Sequence, residues 1–146
     1  MDIELYKSRL ANLEQETPAK FGKMTPQHMV EHLILTVKIS YERIKIPEFE
    51  PSEKLLAQKQ ALLFTDIPFP LGVRAPGMEE GLLQLKFPNL GNAKEELQKS
   101  LDAFEEYFIQ NPNKLTVHPR FGKLSFTEWK LFHPKHFEHH FNQFGI

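Results

Sequence analysis

The sequence predicts an all-α protein: a bundle of four to five helices with a long Pro/Gly-rich connection, in one domain over residues 1–146. Apolar residues recur at helical spacing in several segments, and those segments open on residues that cap helices well. Prolines and glycines crowd into a single stretch between the third and fourth of these segments. Neither a repeat nor a low-complexity tract divides the chain.

The first segment, about residues 2–16, sets Ile3, Leu5, Leu10 and Leu13 among charges and ends before Pro18. It reads as a short amphipathic helix. The second opens on Thr25 as N-cap with Pro26 at the first helical position, where a missing N–H costs nothing. Met29, Val30, Leu33, Ile34, Val37, Tyr41 and Ile44 then recur at helical spacing as far as Pro47. A third helix is expected from Ser52 to Phe64, carrying Leu55, Leu56, Leu62 and Leu63. Residues 66–92 hold Pro68, Pro70, Gly72, Pro76, Gly77, Gly81, Pro88 and Gly91, too many breakers for a helix. So long an irregular connection in a small domain is usually either functional or mobile. The fourth helix is expected over about 92–110, with Leu97, Leu101, Phe104 and Phe108 on one stripe and Asn111-Pro112-Asn113 as its stop. A loop through His118-Pro119-Arg120-Phe121-Gly122 leads to the last helix, which opens on the capping box Ser125/Glu128. Pro134 is expected to kink that helix or to begin its final segment.

Lys and Arg total 18 against 19 Asp and Glu, a formal net charge of −1. This balance, with no basic cluster interleaved with aromatics, argues against nucleic acid as a partner. The chain has no cysteine, which removes disulfides, thiolate metal sites and thiol nucleophiles together. Any metal must therefore be held by histidine, carboxylate or water. The N-terminus has no signal-peptide pattern, and no apolar run reaches the roughly 18–20 residues of a membrane span. The expected compartment is the cytoplasm, with no membrane contact.

Four of the seven histidines, His133, His136, His139 and His140, fall in the last helix. With Trp129 at zero on a helical wheel, His136 lies near about −20° and His140 near about +20°. A His-x-x-x-His pair thus shares the inward stripe with Trp129 and Phe144. Two neighbouring buried imidazoles without partners are costly, and a shared ion removes that cost. The second helix carries His28 and His32, also four apart, and either could reach across the bundle as a third ligand. His32 lies deeper in the apolar stretch; His28, in the first turn, suits a solvated or capping role. The metalloprotease pattern His-Glu-x-x-His is absent, since Phe137 stands after His136 and Glu138 points the other way. His139 reads as a flank, His133 could reach the cavity, and Glu31 reads as solvated. Gln143 could hydrogen-bond a ligand imidazole or a bound water, or merely cap the helix end.

The pattern Thr25-Pro26-x-x-Met29-x-x-His32-Leu33, with His136-x-x-His139-His140-x-x-Gln143 near the end, resembles the DinB/YfiT-like superfamily of bacterial metalloproteins. His118-Pro-Arg-Phe-Gly-Lys-Leu-Ser-Phe-Thr-Glu-Trp129, with His139-His140-Phe-Asn-Gln-Phe-Gly-Ile146, is more similar to one DinB-like branch of it. The resemblance implies a four-helix bundle with a short extra helix. It also implies that His32, His136 and His140 hold a divalent ion: nickel, zinc or iron. Relatives include transferases and isomerases acting on low-molecular-weight thiol adducts and metal-dependent hydrolases, and they are often homodimers. The departure is Phe137, where many relatives have Glu.

Three neutral imidazoles would leave such an ion its full charge and an open position, able to activate water or a thiol on a small organic substrate. That is the first functional expectation. A non-catalytic metal- or ligand-binding bundle is the second, and a purely structural bundle with hydrogen-bonded histidines the third. The connection around Phe69, Leu71 and Met78 is expected to fold over the bundle mouth.

Overall fold

In the computed structural model, which describes residues 1–70 and 82–146, five helices and one small hairpin succeed one another. They are α1 (Ile3–Leu10), α2 (Pro26–Ser40), α3 (Glu53–Phe64), α4 (Leu90–Gln110), β1 (Thr116–His118), β2 (Gly122–Leu124) and α5 (Phe126–Phe144). The architecture is mostly helical, as expected. Among the described residues, no helix is long and apolar enough to cross a membrane.

Local chemistry explains where the helices begin. Asp2, Thr25, Ser52, Asn89 and Ser125 each accept a backbone N–H from the first turn of the helix they precede. Ser125 and Glu128 close the full capping box, each side chain meeting the other's backbone. Asn89 opens α4 at Leu90, slightly before the expected start, because its carboxamide takes the Asn92 N–H at 2.8 Å.

The ends are less local. Helix α2 stops at Ser40 and does not continue to Ile44. Each of its last carbonyls is claimed from outside the regular ladder. Val37 O accepts from Ser40 Oγ, Lys38 O from Ile44 N, Ile39 O from Glu42 N and Ser40 O from Thr116 Oγ1. Glu42 takes the left-handed conformation (φ 61°) that turns the chain away. Helix α1 likewise ends at Leu10, well short of residue 16; a turn then buries Leu13, whose carbonyl accepts from Lys94 Nζ at 2.6 Å. Helix α5 runs through Pro134 as one element, so the proline does not begin a separate segment. It ends at Gly145 (φ 70°), with Ile146 N donating back to Phe141 O at 3.0 Å.

The loop expected around His118 is instead an antiparallel hairpin, with Thr116 opposite Leu124 and His118 opposite Gly122. Its short strands carry no alternation long enough to read in sequence. His118 Nδ1 accepts the N–H groups of Arg120 (3.0 Å) and Phe121 (3.2 Å), which holds the turn.

Helix α2 packs against α4, α5 and β1; α3 and β2 lie on α5, and α1 on α4. The core between them is aromatic. Phe104 contacts Phe108, Phe126 and His133 at ring separations of 5.3, 5.5 and 5.1 Å, and no part of it reaches solvent. Leu56 of α3, by contrast, is 45% exposed. Truncation of Phe104 to Ala is expected to lower unfolding free energy by about 3–5 kcal/mol. Leu56→Ala should change it by less than about 1 kcal/mol. Urea titration of the two variants checks the contrast.

Candidate metal centre

His32 on α2 and His136 and His140 on α5 converge, only 8%, 3% and 7% exposed respectively. His32 Nε2 lies 2.8 Å from His136 Nε2, and His136 Nε2 lies 3.2 Å from His140 Nε2. One nitrogen from each ring falls within 4.8 Å of the others. Two nitrogens each about 2.1 Å from a shared ion sit roughly 3–3.5 Å apart, so a small opening of the His32–His136 pair admits an ion.

Proton accounting favours a cation over hydrogen bonds alone. Gln143 Nε2 donates to Phe21 O at 3.0 Å, which fixes the amide so that its Oε1 faces His140 Nδ1 at 2.9 Å. His140 must then carry its proton on Nδ1, leaving a bare lone pair on Nε2. Across the two inner contacts, a proton on His136 Nε2 would have to serve both neighbours at once. A proton on His32 Nε2 instead would leave His136 and His140 facing lone pair to lone pair. A divalent ion uses all three lone pairs. The Nδ1 atoms of His32 and His136 have no hydrogen-bond partner among the described residues, so His140 is the best-oriented ligand of the three.

Sequence reasoning passed over one residue here, Gly22. Its φ of 80° is the left-handed region, and a Cβ there would lie 2.6 Å from Gln143 Nε2. The glycine therefore lets the 21–22 backbone approach close enough for Phe21 O to hold the amide. A lone Phe-Gly step in a loop carries no distinctive signal in sequence.

The other expected residues fall outside the cluster. His28 stays at the first turn of α2, its backbone N–H donating to the cap Thr25 Oγ1 and its Nδ1 2.6 Å from the same hydroxyl. His133 does not reach the cavity. Its Nε2 donates to Ser40 Oγ at 3.0 Å, because that hydroxyl spends its own proton on Val37 O. His139 is half-buried between the rings of Phe21 and Phe69, 5.5 and 5.1 Å away. Phe137 is fully buried against Tyr6 and Phe141, where an acid would be an unpaired charge in an apolar site. Glu138 faces outward and pairs with Arg9.

Glu31 is not simply solvated. Its carboxylate accepts the N–H groups of Lys86 (2.7 Å) and Phe87 (3.3 Å), while Gln27 Nε2 donates to Phe87 O at 2.8 Å. This straps the end of the long connection to α2. At the other end, Lys135 Nζ donates to the carbonyls of Leu62, Thr65 and Ile67, a cation at the C-terminus of α3. Phe69, just beyond, packs on the His136 ring at 5.3 Å. Leu71 and Met78 lie outside the described residues.

Burial holds five of the imidazoles neutral. It pushes His32, His118 and His133 down to about 3, His140 down to about 4 and His136 well below its ordinary value. In the unfolded chain they titrate near about 6.5. Below that value the unfolded state binds more protons, so stability falls with pH. The stabilising effect is complete above about pH 6.5 and is lost as pH drops toward 4 and 3. Each histidine that must charge costs about 1.4 kcal/mol per pH unit. The metal-free protein should lose its denaturant resistance steeply between pH 6.5 and 4.5 (values chosen about the reference pKa). A flat profile over that range, measured by guanidinium titration, would contradict the neutral burial of these rings.

No family model, curated protein or solved structure matches this chain.

Proposed function

We propose that this chain is a metal-dependent enzyme of the DinB/YfiT-like, four-helix-bundle type. In it His32, His136 and His140 hold one nickel, zinc or iron(II)-class ion, and the centre acts on a small organic substrate by hydrolysis or thiol transfer. The single observation that carries this reading is the convergence of three buried, neutral imidazoles from two helices more than 100 residues apart in sequence.

An ion held there supplies Lewis acidity, lowering the pKa of a water or a thiol and polarising a substrate oxygen. The remaining work belongs to the chain. Neutral ligands add no negative charge to offset that of the ion. Gln143, fixed by Phe21 O, keeps His140 in the tautomer that offers Nε2. Phe69 and Phe132 pack against the His136 ring and exclude water from that side. A homodimer, as the resemblance implies, is part of the same proposal.

One feature favours a second reading. Among the described residues no carboxylate joins the three histidines, and Phe137, where the resemblance implies Glu in many relatives, packs against Tyr6 and Phe141. That suits a centre that binds an ion or ligand without turning it over.

Metal analysis of the purified protein should find about one divalent ion per chain, absent from His136→Ala and retained in His139→Ala. Failure of the wild-type chain to take up nickel, zinc, iron(II) or cobalt(II) overturns both readings. Turnover of thiol adducts or activated esters that disappears in His136→Ala supports the enzyme; stoichiometric metal with no turnover supports the binding module. Gln143→Leu should weaken metal affinity about 10–100-fold, as read by competition with a chromophoric chelator. Gly22→Ala should do the same through the same amide.

A further inference from the structure

His32 belongs to two places at once. One edge of its ring faces His136 and His140; the residue also lines a cavity of about 110 Å³ on the outer side of α2. The cavity lies between that helix and the extended segment Leu83–Phe87, and its walls include Ile34, Leu35, Ile44, Leu83, Leu85 and Phe87. Most of that lining is hydrocarbon.

The charged groups that could alter this character are engaged. Glu31 spends its carboxylate on the Lys86 and Phe87 N–H groups and on Gln27 Nε2. Lys38 pairs with Glu96 at 2.8 Å, and His28 with Thr25. Gln84 and Lys86 border the cavity on its exposed side, where Leu83 and Leu85 are also 41% and 39% exposed, so the cavity opens to solvent there. The Glu31 and Gln27 bonds also hold the 86–87 backbone against α2, so this wall is formed before any ligand arrives. Pre-formed cavities of this kind, mostly apolar with a polar group at one edge, are what small-molecule sites look like.

We propose that this cavity receives the apolar part of the molecule whose head group meets the metal centre. The occupant is an uncharged alkyl or small aryl group, entering beside His32. Its size follows from the volume, since an apolar cavity of about 150 Å³ holds benzene. A short alkyl chain of about four carbons, or a single small ring, fills this one. The inference rests on the metal-centre reading for the head group and on the cavity alone for the tail. Chain length, rather than charge, is then the property by which the site sorts its substrates.

A straight-chain alkanethiol series from ethanethiol to hexanethiol, titrated onto cobalt(II)-loaded protein and followed by the cobalt absorption bands, tests it. Affinity should rise about fourfold per added methylene while the chain enters the cavity, then level off near about four carbons. Leu35→Phe, which fills the cavity, should bring the plateau to a shorter chain, and Leu85→Ala should move it to a longer one. Both should keep wild-type cobalt loading. A wild-type series with no chain-length dependence overturns the proposal, as does a plateau that neither variant moves. If the chain takes up no metal, the centre has failed on its own. The cavity is then read with toluene and the metal-free protein by methyl NMR. Shifts confined to Ile34, Leu35, Ile44 and Leu85 support an apolar site, and unshifted methyls overturn it.

Discussion

The bond from His133 Nε2 to Ser40 Oγ ties α5 to the last turn of α2, and the relative register of those two helices decides whether a metal centre exists at all. The bond sits in a buried chain. Trp129 Nε1 donates to Thr116 Oγ1 at 2.7 Å, and Thr116 Oγ1 donates to Ser40 O at 2.8 Å. Every donor in that chain has an acceptor, which lets a buried polar network fix register, although His133 Nδ1 has no partner among the described residues. The His133–Ser40 and His136–His32 contacts run in opposite chain senses, so α2 and α5 are antiparallel. Moving back about 12 Å along α2 and forward about 5–10 Å along α5 arrives at the three imidazoles. A slip of either helix by one residue would turn a ring out of the cluster.

The same network explains the hairpin and the early end of α2. Thr116 needs a strand to hold its hydroxyl under Ser40 O, and Ser40 needs an open carbonyl to receive it. Helix termination, strand placement and ligand register are therefore one solution to one hydrogen-bonding problem. Around it the aromatic core supplies the low-polarity medium that keeps the imidazoles neutral, with Phe104 and Trp129 against His133 and Phe132 against His136. Neutrality is what a cation requires of its ligands, and the surroundings that enforce it also make the metal-free state sensitive to acid.

Phe137 is informative about chemistry. Its position on α5 faces Tyr6 and Phe141, so the residue serves packing between α1 and α5 rather than the centre. The long connection contributes differently at its two described ends. Phe69 closes over His136, and Leu83–Phe87 builds the outer wall beside His32. Both are held by side chains of the helices that carry the three clustered histidines, Lys135 on α5 and Glu31 and Gln27 on α2.

Much was legible from local patterns. The five N-caps are short-range bonds between a polar side chain and the backbone three residues on, so Thr25, Ser125 and their helices can be read directly. The i,i+4 pair His136/His140 and its place on the Trp129 stripe follow from helical periodicity alone. What the chain's own order could not decide was everything that joins distant segments. Which of His28 and His32 faces α5, that His133 is spent on Ser40, that Gly22 admits Gln143 to Phe21 O, and that Glu31 holds a strap 55 residues away all depend on packing. Periodicity fixes an angle about one helix axis. Only tertiary contact fixes the height and rotation of a second helix against it, and three nitrogens meet at a point only when both are set.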